Sequence, residues 1–82
     1  MKVRVYHQAR GPRGIEDICI DIEMPFLPAI GMDIKPTPDS DYLRVQCFFW
    51  DISTPDMVDA HIEQEGRLET LKVALAAGWR KA

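Results

Sequence analysis

The stretch Ile15-Glu16-Asp17-Ile18-Cys19-Ile20-Asp21-Ile22-Glu23-Met24-Pro25-Phe26-Leu27-Pro28-Ala29-Ile30-Gly31 decides the fold. Ile18, Ile20, Ile22 and Met24 face one way and Asp17, Cys19, Asp21 and Glu23 the other. That is the period-two pattern of a strand with one buried face. Pro25 has no N–H to give to a ladder and Pro28 follows closely, so residues 25–31 must leave regular pairing while staying apolar. The stretch therefore reads as a strand ending in a corner. Phe26, Leu27 and Ile30 are expected to plug one end of the core, and Gly31 to turn the chain into its next strand.

Upstream, Lys2 to Gln8 alternates, with Val3, Val5 and His7 on one side and Lys2, Arg4, Tyr6 and Gln8 on the other. Arg10-Gly11-Pro12-Arg13-Gly14 then punctuates the chain as a hairpin turn. Downstream, Gly31 to Lys35 predicts a short third strand, stopped by the prolyl and acidic loop from Pro36 to Asp41. Tyr42 to Trp50 predicts a fourth strand, with Leu43, Val45, Cys47 and Phe49 on the core face and Tyr42, Arg44, Gln46, Phe48 and Trp50 on the other. Its second half is apolar on both faces, as in a central strand or a surface that something else covers.

Met57 to Gln64 supports two readings. As a strand it alternates Val58, Ala60 and Ile62 against Asp59, His61 and Glu63; as a helix it has Thr54 as a cap, Pro55 in the first turn and Asp56 at the positive dipole end. The strand reading is adopted. Leu68, Leu71, Leu75 and Trp79 fall within about 80° of arc and predict a terminal helix docking on the sheet. Gly78 is placed to end it in a left-handed conformation. Val73 lies off this stripe, either covered by Trp79 or open to a partner. The predicted fold class is mainly β, a small five-stranded barrel with a C-terminal α-helix; the alternative is α+β, four strands followed by two helices.

With 82 residues there is room for one modest core and a single small domain spanning 1–82. Cys19 and Cys47 lie in apolar stretches, as reduced packed thiols rather than the framework of a disulfide scaffold. No secretory leader and no run of about 20 apolar residues is visible, so the expected location is cytoplasmic and away from membranes. The net charge of −3 conceals a division along the chain. Lys2, Arg4, Arg10 and Arg13 open it without an acid, and Arg67, Lys72, Arg80 and Lys81 close it against Glu69 alone. Between them Glu16, Asp17, Asp21, Glu23, Asp33, Asp39 and Asp41 face only Lys35, and Asp56, Asp59, Glu63 and Glu65 add four more negative charges. Arg44 and Asp51 cancel. This asymmetry either steers a charged partner or pairs termini with middle inside the fold.

The strand pattern, through Val3-Arg4-Val5-Tyr6, Pro25-Phe26-Leu27-Pro28-Ala29-Ile30-Gly31 and Tyr42-Leu43-Arg44-Val45, resembles that of small Sm-like or SH3-like barrels. The resemblance implies ring assembly and RNA binding as properties to look for. Sm-like proteins, however, carry their helix before the barrel, and their late Arg-Gly signature has no counterpart here.

No pairing of a thiol or hydroxyl with His7 or His61 forms a nucleophile signature, and no glycine-rich phosphate loop is present, so no catalytic residue, cofactor or metal is assigned. Asp59, His61 and Glu63 would share a strand face, but solvated side chains explain them better than ligands converging at about 2.0–2.3 Å. Phe48, Trp50, Val73 and Trp79 form the candidate partner interface of a non-catalytic module that self-associates or binds a protein. The alternative is an RNA- or single-strand-binding barrel using Arg4, Tyr6, Arg10 and Arg13 of the first hairpin.

Overall fold

A computed structural model describes residues 1–64 and 68–82; Glu65 and Arg67, counted in the charge balance, lie outside the described residues. The elements are β1 (Lys2–Gly11), β2 (Gly14–Glu23), β3 (Asp33–Ile34), β4 (Leu43–Trp50), β5 (Met57–Ile62), α1 (Leu71–Ala76) and β6 (Arg80–Lys81). The fold is mainly β, a six-stranded sheet of order β3-β4-β5-β1-β2-β6 curled into a half-barrel. β1 and β2 form a long hairpin from Lys2 opposite Glu23 to Gly11 opposite Gly14, turning through Pro12 and Arg13. Gly14 takes φ 126°, a conformation that side-chain-bearing residues avoid. β5 runs parallel to β1, placing Val58 beside Val3 and Ala60 beside Val5.

Period-two alternation decides which side chains the curl encloses. Val3, Val5 and Ala9 of β1, Ile18 of β2, Val45 of β4 and Ala60 and Ile62 of β5 are buried in one cluster, with Ile20 and Ile22 packed against it. The strand reading of Met57 to Gln64 holds over Met57–Ile62. The third strand is shorter than Gly31 to Lys35, because only Asp33 and Ile34 pair with β4.

The corner departs from expectation. Phe26, Leu27 and Ile30 are 52%, 49% and 68% exposed, so they do not plug the core. Pro28 and Met24 are buried instead. Three backbone bonds pin the far end of the corner. Met32 N–H donates to Ala29 O, Gly31 N–H donates to Val45 O, and Val45 N–H donates to Met32 O. Pro25, which ends the ladder, is exposed; Pro28 is the proline the core accepts, and its larger neighbours flank it outside.

The C-terminal segment is also revised. α1 spans six residues, too few to be stable alone, and is held by its buried face of Leu71 and Ala74 and by Thr70, whose side chain accepts a bond from Val73 N–H. Leu68 precedes it, Leu75 is exposed, and Trp79 lies beyond it, so the expected stripe is not one helical face. At the helix end Gly78 N–H donates to Leu75 O and Trp79 N–H to Ala74 O, with Gly78 at φ 108°. This is the left-handed terminus expected at Gly78. The reversal brings Trp79 back under the sheet, 7% exposed, its ring 6.1 Å from that of His7. The helix is not terminal: β6 follows and pairs Arg80 with Cys19 and Lys81 with Ile18 of β2.

The charge asymmetry along the chain resolves into internal pairs. Arg4 Nε and Nη2 donate to the two carboxylate oxygens of Asp21 at 2.8 and 3.3 Å, and Arg80 Nη2 reaches the same two oxygens at 3.2 Å each. Lys81 lies 3.5 Å from Glu16, and the N-terminal ammonium 3.1 Å from Glu23. The basic ends therefore meet the acids of β2. These pairs are solvent-facing and screened, so they add little stability.

Candidate association edge

The second half of β4 lies at an edge of the sheet. Asp33 and Ile34 of β3 pair with Arg44 and Leu43, and the chain before β3 bonds Val45. Among the described residues no strand pairs with the outer edge of residues 46–50. On the inner edge Val45 lies opposite Ile62 but Cys47 opposite His61, so Gln46 is an extra residue in the strand, a β-bulge. The bulge reverses the alternation. Val45 stays in the core, whereas Cys47 and Phe49 turn to the outer face with His61 and Asp59, and Phe48 and Trp50 align with Ala60 and Val58. Cys47 is accordingly half-buried on the outer face, not the core residue expected.

Two neighbours hold the aromatic pair at the end of this edge. Trp50 Nε1–H donates to Pro55 O at 3.1 Å across the turn after β4, leaving the residue 58% exposed. That turn is itself fixed by Asp51, whose carboxylate accepts from Ser53 N–H at 2.9 Å and is thereby held below the usual carboxylate range. Phe49, 57% exposed, meets the edge of His61 at 5.3 Å, and His61 stacks on Tyr6 at 4.9 Å. Ile52, in the turn after β4, is a further exposed aliphatic side chain. Fixed aromatic side chains lose little freedom on docking, which suits them as anchors.

Of the four residues expected at a partner interface, Phe48 and Trp50 lie on this edge and Val73 is exposed on α1. Trp79 is corrected: it is buried against the sheet. Phe49 was assigned to the core from alternation; only the bulge, which composition does not signal, turns it out. Among the hairpin residues, Arg4 is engaged by Asp21, which holds its pKa above the ordinary arginine value. Arg10 Nε donates to Leu68 O at 3.1 Å, and Arg13 is exposed at the hairpin tip. Asp59, His61 and Glu63 do not converge; among the described residues no three His, Cys, Asp or Glu side chains are grouped to hold a metal ion.

The surroundings of His7 move its titration. Burial holds its pKa below the usual 6.5, and its Nδ1 has no hydrogen-bond partner among the described residues. Between that depressed value and about 6.5 the unfolded chain binds a proton that the folded chain refuses, so stability is full above this window and falls as pH drops through it. Asp21, lowered by Arg4 and then Arg80, loses its contribution only further down, below 3.8. We expect the thermal midpoint to fall between about pH 7 and pH 5, with His7→Gln flattening that decline. Equal slopes in the two proteins would assign the decline to other groups.

Comparison of the chain with protein-family models, with curated proteins and with solved structures finds no match. Among the described residues no helix is long and apolar enough to cross a membrane.

Proposed function

We propose that this chain is a non-catalytic interaction module that self-associates by pairing β4 antiparallel with β4 of a second copy. The observation that carries the reading is the open outer edge of residues 46–50, bearing Phe49 and Trp50 half-exposed. Unpaired edges are normally blunted by charge, proline or brevity. The opposite edge of the sheet follows that rule, since β6 is two residues long and both are basic. Gln46 to Trp50 contains no charge and no proline. A twofold pairing centred on Phe48 sets Phe48 against Phe48, Cys47 against Phe49 and Gln46 against Trp50, so the same patch serves both copies and no like charges meet. Among the properties implied by the Sm-like or SH3-like resemblance, assembly of copies is the one this edge supports.

Light scattering at about 10–100 μM, where micromolar dissociation constants are read directly, is expected to find twice the 9.4 kDa chain mass. Hydrogen exchange under the same conditions is expected to slow at the amides of residues 46–50 as concentration rises. A strict monomer, or a dimer whose exchange in β4 does not change, would overturn the reading.

A further inference from the structure

Pairing through β4 alone leaves the apolar corner without a role. Residues 24–32 carry no charge, and Phe26, Leu27, Ala29 and Ile30 are exposed. The far end of this corner abuts the open edge. Gly31 N–H donates to Val45 O and Val45 N–H to Met32 O, each at 2.8 Å, so the outer edge of β4 is occupied as far as Val45 and free from Gln46 onward. At its other end the strand stops after Trp50, where Asp51 O accepts from Thr54 N–H at 3.0 Å in a turn. The free edge is therefore a slot with the corner at one end and a turn at the other.

These two stops fix how a second copy can lie. In an antiparallel pair about a twofold axis, centring on Phe48 places Val45 of one copy opposite Asp51 of the other. Centring on Cys47 would set Phe49 and Trp50 of the second copy against Val45 and Arg44, where Gly31, Met32 and β3 already lie. Centring on Phe49 would leave Gln46 and Cys47 facing the turn after β4 instead of a strand. Only the Phe48 register uses the whole free edge. In that register the second copy turns away where Gly31 meets it, which brings its Trp50 and Ile52 beside Ile30. Trp50 is on the face this requires: it aligns with Val58, in the alternation that puts Ala60 in the core cluster, and the corner sends Met24 into that same cluster. A strand pair over residues 46–50 is also short against the about 20–30 residues a side of a standard interface, so further surface must be covered. We infer that the corner is the second half of the dimer interface, with Ile30 covering Trp50 and Ile52 of the second copy, twice by symmetry. This rests on the β4 pairing and sets its register.

Within one chain Ile30 and Ile52 stand at opposite ends of the free edge, about 15–20 Å apart at 3.3–3.4 Å per residue, so charges placed there meet only across the interface. Ile30→Lys and Ile52→Glu, both at exposed positions, are each expected to weaken the dimer about a hundredfold, tenfold at each of two symmetry-related contacts. Combined in one chain they bring opposite charges together, and association is expected to recover to within about tenfold of the unsubstituted protein. Sedimentation reads the dissociation constants, and an unchanged thermal midpoint of the dilute monomer shows that the fold is intact. In the unsubstituted dimer, mixing isotope-labelled and unlabelled chains is expected to give nuclear Overhauser contacts between the Ile30 methyl groups and the Trp50 indole of the other copy. Hydrogen exchange at residues 46–50 separates this inference from the strand pairing. Slowed exchange there, with both single variants associating normally, with no recovery in the double variant, or with no Ile30 to Trp50 contact, would overturn the role of the corner and leave the β4 pairing standing. A strict monomer would overturn both.

Discussion

Trp79→Ala is expected to cost the fold about 3–5 kcal/mol, at least a quarter of its stability. Trp79 lies beyond α1 but is 7% exposed, packed beside His7 and in one cluster with Val5, Ile18 and Leu71. Removing a buried indole costs about 3–5 kcal/mol through lost transfer energy and the cavity left behind. An 82-residue domain has on the order of 4–12 kcal/mol to lose. The loss is larger here than for a residue within a strand, because α1 and β6 are joined through Trp79 and neither is long enough to hold without it. Urea unfolding followed by circular dichroism should show the midpoint fall or disappear. A change below about 1 kcal/mol would mean that the Trp79 ring is not part of the core.

Phe49→Lys is expected to weaken the dimer by a few hundredfold while leaving the monomer folded. Its side chain is on the outer face, 57% exposed, so its loss opens little cavity. In a twofold interface each substitution occurs twice. An aromatic anchor loses about 2 kcal/mol on removal, each 1.4 kcal/mol is a factor of ten, and two copies therefore compound to hundreds. Lysine on an edge strand is also the ordinary means of discouraging sheet extension. Ile15→Lys, changing another exposed apolar residue in the first hairpin, is the control and should leave association unaltered. Sedimentation of the three proteins at matched concentrations reads the outcome. Unchanged association in Phe49→Lys would place the interface elsewhere.

How much of this was legible beforehand varies by element and has physical reasons. β1 and β2 were readable because alternation over Lys2 to Gln8 and Ile15 to Met24 admits one phase, and Val3, Val5 and Ile18 are where that phase puts them. β4 began correctly at Leu43 and Val45 and then went out of phase, because a bulge inserts a residue without leaving a compositional mark; Gln46 is an ordinary strand residue. The corner misled for a related reason. Phe26, Leu27 and Ile30 are the most apolar side chains in their segment, but the backbone bonds to Val45 and the ring of Pro28 determine which side of the loop meets the core. At the other end, Leu68, Leu71, Leu75 and Trp79 fit a helical wheel, yet Gly78 ends the helix early and Trp79 reaches the core by chain reversal. The mainly β class was therefore legible and the sixth strand was not, and Phe48, Phe49 and Trp50 were all assigned to the wrong faces, because the phase changes at Gln46.

The placement of β1 bears on how the protein is made. Its two ladders form with partners very different in age: β2 follows it directly, but Lys2 on the other side pairs with Met57, near the far end of the chain. During synthesis at about 5–20 residues per second, the first hairpin waits several seconds with one flank of Val3 and Val5 bare. Vectorial growth thus opens an interval in which a strand paired on both flanks in the finished sheet has one flank unpaired.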